Sequence, residues 1–172
     1  MPIKSFRGKM SDNTIDTISL HTNDGSTGYK ITKFELMGPN ANSMIESVVK
    51  IYSTPQTTAD TVIDFSDNTL LAAGTIVNTN SNVYNPEPTI VFDNTTFNQD
   101  IFVTLKGHDH TTDVNYYIEL EQVKLSLDEN TVATLKDIRN IGYKPFVVGF
   151  TSMLSVGIVS ILTIEIYVKF FI

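Results

Sequence analysis

The chain has 172 residues, room for one domain with an appendage, and no cysteine, which excludes disulfide scaffolds, cysteine-ligated zinc, iron–sulfur clusters and thiol nucleophiles. Its net charge of −7 argues against a nucleic-acid-binding surface, because no excess of Lys and Arg is present to displace counterions. The 22 Thr and 14 Asn outnumber the charged residues, and a mean hydropathy of zero averages a polar body with an apolar tail.

The body, residues 1 to about 126, consists of short segments of period-two character separated by turn clusters. In chain order the expected strands are Thr14 to His21, Gly28 to Met37, Ser47 to Tyr52, Thr61 to Phe65, Leu70 to Val77, Thr89 to Phe92, Asp100 to Lys106 and Asn115 to Glu121. Thr32, Phe34 and Leu36 are expected on one face, against Lys33 and Glu35; Val49 and Ile51 oppose Lys50. Ile101, Val103 and Leu105 group together, and Tyr116, Ile118 and Leu120 oppose Tyr117, Glu119 and Glu121. A slip of phase after Gln122, to Val123 and Leu125, suggests a bulge there. The punctuators are Asn23-Asp24-Gly25, Gly38-Pro39-Asn40, residues 78–82, Asn85-Pro86-Glu87-Pro88 and residues 107–113. About eight strands without intervening helical periodicity predict an all-β fold, an antiparallel β-sandwich or jelly roll.

A short amphipathic helix over 127–140 follows. Ser126 and Glu129 have capping-box spacing, and Val132, Leu135 and Ile138 recur every third residue, with Ala133 beside them.

The C-terminal segment, 145–172, changes character. Residues 145–164 carry no charge, and twenty helical residues span ~30 Å, the thickness of bilayer hydrocarbon. A transmembrane helix would anchor through Phe146, Val147, Val148, Phe150, Met153, Leu154, Ile158, Val159, Ile161, Leu162 and Ile164, with Tyr143, Tyr167, Phe170 and Phe171 near its ends. Five Ser/Thr and two Gly lower its hydrophobicity, so two buried strands or a packed helix fit the same string, as does a tail from an altered reading frame. Lys136, Arg139 and Lys144 precede the segment and only Lys169 follows it, which by the positive-inside rule keeps the body on the cytoplasmic side or the side of origin.

Chemistry is sparsely signalled. His108-Asp109-His110 could converge on a metal from one strand face, but Gly107 and Thr111-Thr112-Asp113 around it read as a hairpin tip between strands ending near Lys106 and starting near Val114. Asn23-Asp24-Gly25 and the Asp64 to Asn68 run could surround calcium, yet neither has EF-hand spacing and both are ordinary turn sequences. Glu119 and Glu121 could form a carboxylate pair on one face; a plain exposed face is the simpler account. Asn94-Thr95-Thr96 is a glycosylation sequon. No phosphate loop or nucleophile elbow occurs, so no catalysis and no cofactor are expected.

Four stretches, residues 20–37, 62–77, 90–106 and 115–140, resemble a family of small, mostly uncharacterised proteins of marine bacteriophages and uncultured marine viruses. The resemblance covers roughly residues 1–140 and implies a virion protein; it carries over no functional residue. The tail after Asn140 departs from the family's pattern. The expected function is that of a viral structural protein: a minor capsid, cement or membrane-linked virion component. It would act by homo-oligomeric assembly with other virion proteins and reside in the virion, or in a virion or host membrane. The alternative is a surface-displayed carbohydrate- or receptor-binding module using Tyr84-Asn85 or Tyr116-Tyr117.

Overall fold

The structure, a computed structural model, describes residues 2–20, 26–40, 44–78, 88–108 and 113–141. The chain divides into two units, Met1–Asp137 and Ile138–Ile172, and of the second only the end of a helix is described. The first unit is an all-β antiparallel sandwich of two sheets followed by helix α1 (Leu127–Ile141).

The strands are β1 (Ile3–Met10), β2 (Thr14–Ile18), β3 (Thr27–Met37), β4 (Ile45–Tyr52), β5 (Leu70–Asn78), β6 (Thr89–Phe92), β7 (Ile101–Gly107) and β8 (Val114–Lys124). One sheet has the order β1-β8-β3, the other β2-β7-β4-β5-β6. The pairing is nested: β4 lies beside β5 and β2 beside β7 in the five-stranded sheet, and β1 lies beside β8 in the three-stranded one. The segment after β6 continues the nesting, since Phe97 bridges to Tyr29 of β3 through two backbone hydrogen bonds of 2.7 and 3.1 Å.

Period-two alternation sends Tyr29, Ile31, Phe34 and Leu36, then Val49 and Ile51, then Ile101, Val103 and Leu105, then Tyr116, Ile118 and Leu120 into one core between the sheets. Burying each large aliphatic side chain there contributes ~1.5–3 kcal/mol, so this layer dominates the fold's stability. β4 departs from alternation: from Val49 to Tyr52 every residue is buried, because the outer face at Lys50 and Tyr52 is covered too.

Several expectations are corrected. Residues 61–65 are not a strand; they belong to the connection between β4 and β5, whose aspartates bind their own backbone instead of a sheet. The eighth strand is β1, whose alternation is obscured because Gly8 and Lys4 occupy core-side positions. β7 and β8 do not form a hairpin, since they lie in opposite sheets. β8 runs unbroken through Gln122 to Lys124; the bulge is on β3, where the register shifts between Ile31 and Lys33. Thr32 is therefore exposed instead of joining Phe34 and Leu36, and its Oγ1 donates to the Glu119 carbonyl at 3.2 Å.

Candidate functional site

Among the described residues Lys50, on β4, is a buried charged side chain. Its side chain is 2% exposed, and its Nζ lies 2.7 Å from Asp60 Oδ1 and donates to the Val62 carbonyl at 2.8 Å. The Nζ is also 5.5 Å from the centre of the Tyr52 ring. Burial opposes the ammonium charge, but the hydrogen bonds to Asp60 and Tyr52 outweigh it and hold the lysine above its ordinary value. The same hydrogen bond from Lys50 holds the Asp60 carboxyl below its own. Lys50 thus straps the β4–β5 connection across the outer face of the five-stranded sheet. Its cross-strand neighbours Ala73 and Thr104 are buried too. In the sequence Lys50 is one polar residue in an apolar run, a pattern that reads equally as an exposed lysine.

The connection itself is built from side-chain turns. Asp60 Oδ1 accepts from the Val62 N–H at 2.9 Å, Asp64 Oδ1 from the N–H and hydroxyl of Ser66 at 2.8 and 2.6 Å, and Asp67 Oδ1 from those of Thr69 at 2.8 and 2.7 Å. These are Asx turns, so the Asp64 to Asn68 run spends its carboxylates on local backbone. Among the described residues no three His, Cys, Asp or Glu side chains stand together as metal ligands.

The other sequence candidates separate. The His108 N–H donates to the Glu46 carbonyl at 2.8 Å, and its Nδ1 lies 3.7 Å from Glu46 Oε1, which ties it to β4. Asp109 and His110 lie outside the described residues, as do Asn23-Asp24-Gly25, Tyr84-Asn85 and every anchor residue from Phe146 to Ile164. Asn94 of the sequon is exposed, with its N–H on Asp93 Oδ1 at 2.6 Å.

Glu119 and Glu121 share the outer face of the three-stranded sheet, but each faces lysine across the ladder: Lys33 opposite Glu119 and Lys30 opposite Glu121. Tyr117 lies on this face; its hydroxyl donates to Glu119 Oε1 at 2.8 Å, and Lys33 Nζ stands 5.5 Å from its ring centre and 3.0 Å from Glu35. Tyr116, its sequence neighbour, points the opposite way into the core, where its hydroxyl donates to Asp16 Oδ2 at 2.7 Å and ties the two sheets together.

The capping box forms as expected. Glu129 Oε2 accepts from the Ser126 N–H and hydroxyl at 2.9 and 2.8 Å, and the Glu129 N–H reaches Ser126 Oγ at 3.3 Å. The apolar stripe does not pack as expected, because Val132 and Leu135 remain 53% and 58% exposed. The helix meets the sandwich through polar residues instead, as buried Asn98 donates to Asn130 Oδ1 at 2.9 Å and Thr134 Oγ1 at 3.4 Å. Among the described residues no helix is long and apolar enough to cross a membrane.

The chain matches no protein-family model and no curated protein.

Proposed function

We propose that the chain is a structural protein of a virus particle, a minor capsid, cement or membrane-linked component that works by assembly. The observation that carries this reading is the nested strand order, β1 with β8, β2 with β7 and β4 with β5, closed by the Tyr29–Phe97 bridge. That order supports a jelly roll, the architecture of many viral capsid domains. A fold alone does not specify function. The second support is chemical: the sandwich is followed by a helix with exposed Val132 and Leu135 and then by the uncharged residues 145–164. Such a sequence joins a polar body to an apolar segment, which suits a protein that links a shell to lipid or to other subunits.

The test compares residues 1–140 with the full chain, by sedimentation in buffer and by flotation with liposomes. A full chain that floats or forms defined oligomers, beside a soluble 1–140 fragment, supports the proposal. Two monomers that neither float nor assemble overturn it.

The same nested order serves lectin domains, and Tyr117 on the outer sheet face, beside Lys33, Glu35 and Glu119, favours a carbohydrate- or receptor-binding module as the second reading. Glycan-array binding lost in Tyr117→Ala would decide for it; an array without hits would decide against it.

A further inference from the structure

The two sheets end in the edge strands β1 and β3 on one side of the sandwich and β2 and β6 on the other. An open edge is a template for another chain, and charged side chains are a common means of blocking it. β1 carries Lys4, Arg7 and Lys9, and β2 carries Asp16. β3 carries Lys30, Lys33 and Glu35 and is met by the Phe97 bridge. β6, Thr89-Ile90-Val91-Phe92, carries no charge, and neither does its neighbour β5.

The backbone of β6 faces two ways. The Asp93 N–H donates to the Leu71 carbonyl at 2.9 Å, in step with the register that sets Val91 opposite Ala73 and Thr89 opposite Thr75. Residues 89, 91 and 93 therefore turn their backbone polar groups toward β5, and Ile90 and Phe92 turn theirs outward. Those outward N–H and carbonyl groups meet no partner among the described residues. Of the side chains, Ile90 packs against the core. Phe92 lies on the same side, opposite buried Ala72, yet is 42% exposed, because no described strand stands beyond it. Val91 is on the outer face and 49% exposed.

This edge is complementary to itself. A two-fold axis at Val91 sets Ile90 of each copy opposite Phe92 of the other, so every outward group of both residues enters a ladder hydrogen bond. Phe92 gains an isoleucine across the ladder, an aromatic–β-branched pair, and the two Val91 side chains meet in the closer, non-hydrogen-bonded position. Asp93 falls opposite Thr89, so no carboxylate faces another within the pairing. Shifted axes do worse. An axis at Ile90 sets Phe92 opposite Pro88, which has no N–H. An axis at Phe92 sets Ile90 opposite Asn94, whose N–H is already on Asp93 Oδ1. Four residues span only ~14 Å and bury less than the ~800 Å² per partner of a stable interface, so the contact is weak singly and gains strength by repetition in an assembly.

We propose that β6 pairs antiparallel with β6 of a second copy of this chain, about a two-fold axis at Val91, joining two five-stranded sheets edge to edge. The inference rests on the assembly reading, and the experiment separates the two.

The chain has no cysteine, so Val91→Cys and Thr89→Cys, both at exposed positions, each give a single thiol in the full chain. Across the axis the Cα atoms of residue 91 would stand ~4.5 Å apart, within disulfide reach, and those of residue 89 ~14 Å apart, beyond it. Mild oxidation should link Val91→Cys into dimers and leave Thr89→Cys unlinked. Val91→Lys and Val91→Glu each set like charges across the axis and should weaken self-association, read by sedimentation, by about three- to tenfold. Their equimolar mixture should restore it. Equal linkage at positions 89 and 91, or none at either, overturns the inference, and a full chain that still assembles leaves the assembly reading standing. Self-association that both charged variants retain overturns the inference as well. A chain that neither links, floats nor assembles overturns both.

Discussion

Lys50 Nζ and Asp60 Oδ1 stand 2.7 Å apart, with the lysine side chain 2% exposed and the aspartate side chain 59% exposed. The pair is unequal, and its two halves fail differently. Asp60→Ala leaves an ammonium buried without its counter-ion and should cost ~3 kcal/mol, the scale for breaking a buried pair. Lys50→Met replaces the stem with an apolar one of similar length and leaves a carboxylate that water already reaches, so it should cost less than ~1.5 kcal/mol. Urea unfolding of the two variants checks the order; equal losses would mean that Lys50 contributes mainly by packing.

The same pair sets a pH window. The Asp60 carboxyl is held below its ordinary value of 3.8, so its contribution is full above that value and is lost as pH falls through the lower folded-state value. Lys50 is held above its ordinary 10.5, so its contribution is full below that value and is lost as pH rises through the higher folded-state value. Stability of wild type relative to Lys50→Met should therefore be flat across neutral pH and converge only at both extremes. Chemical denaturation across pH measures this difference directly.

Tyr116 joins the sheets through Asp16, and Gly8 of β1 makes room for it. Burial first, and the hydrogen bond to Asp16 second, push the phenol well above its ordinary value of 10.0. In an ultraviolet titration of the folded protein, Tyr116→Phe should remove a phenol that ionises above its ordinary range, and should cost ~1 kcal/mol for the lost hydrogen bond. A Cβ on Gly8 would sit 2.7 Å from the Tyr116 ring and hydroxyl, so Gly8→Ala should cost ~1–3 kcal/mol. In the Tyr116→Leu background that cost should shrink, which a double-mutant cycle reads.

At the helix, Ser126→Ala removes the cap and should lower α1 stability by ~1 kcal/mol while the sandwich melts unchanged. The Ser126 N–H and hydroxyl hold Glu129 below its ordinary value of 4.5, so the box persists above that pH and is lost as pH falls through the lower folded-state value. Circular dichroism in the helical region, followed through an acid titration of wild type and Ser126→Ala, checks both.

Period two and turn chemistry determined most of the architecture before any tertiary contact was known. Ile101, Val103 and Leu105, like Tyr116, Ile118 and Leu120, are buried on the faces that their alternation assigns, because a strand's side chains can only alternate. The capping box of Ser126 and Glu129 was legible for the same reason, its partners being three residues apart. What lay beyond local sequence was decided by distant partners. Residues 107–113 connect strands in opposite sheets instead of forming a hairpin, because β7 pairs with β2 and β4 while β8 pairs with β1 and β3. Lys50 became buried because Asp60, ten residues away, brought the connection over it. Val132 and Leu135 stayed exposed because Asn98, far back in the chain, met the helix on its other side. In each case the local string fitted two environments equally well, and only the residue that arrived from a distance selected one.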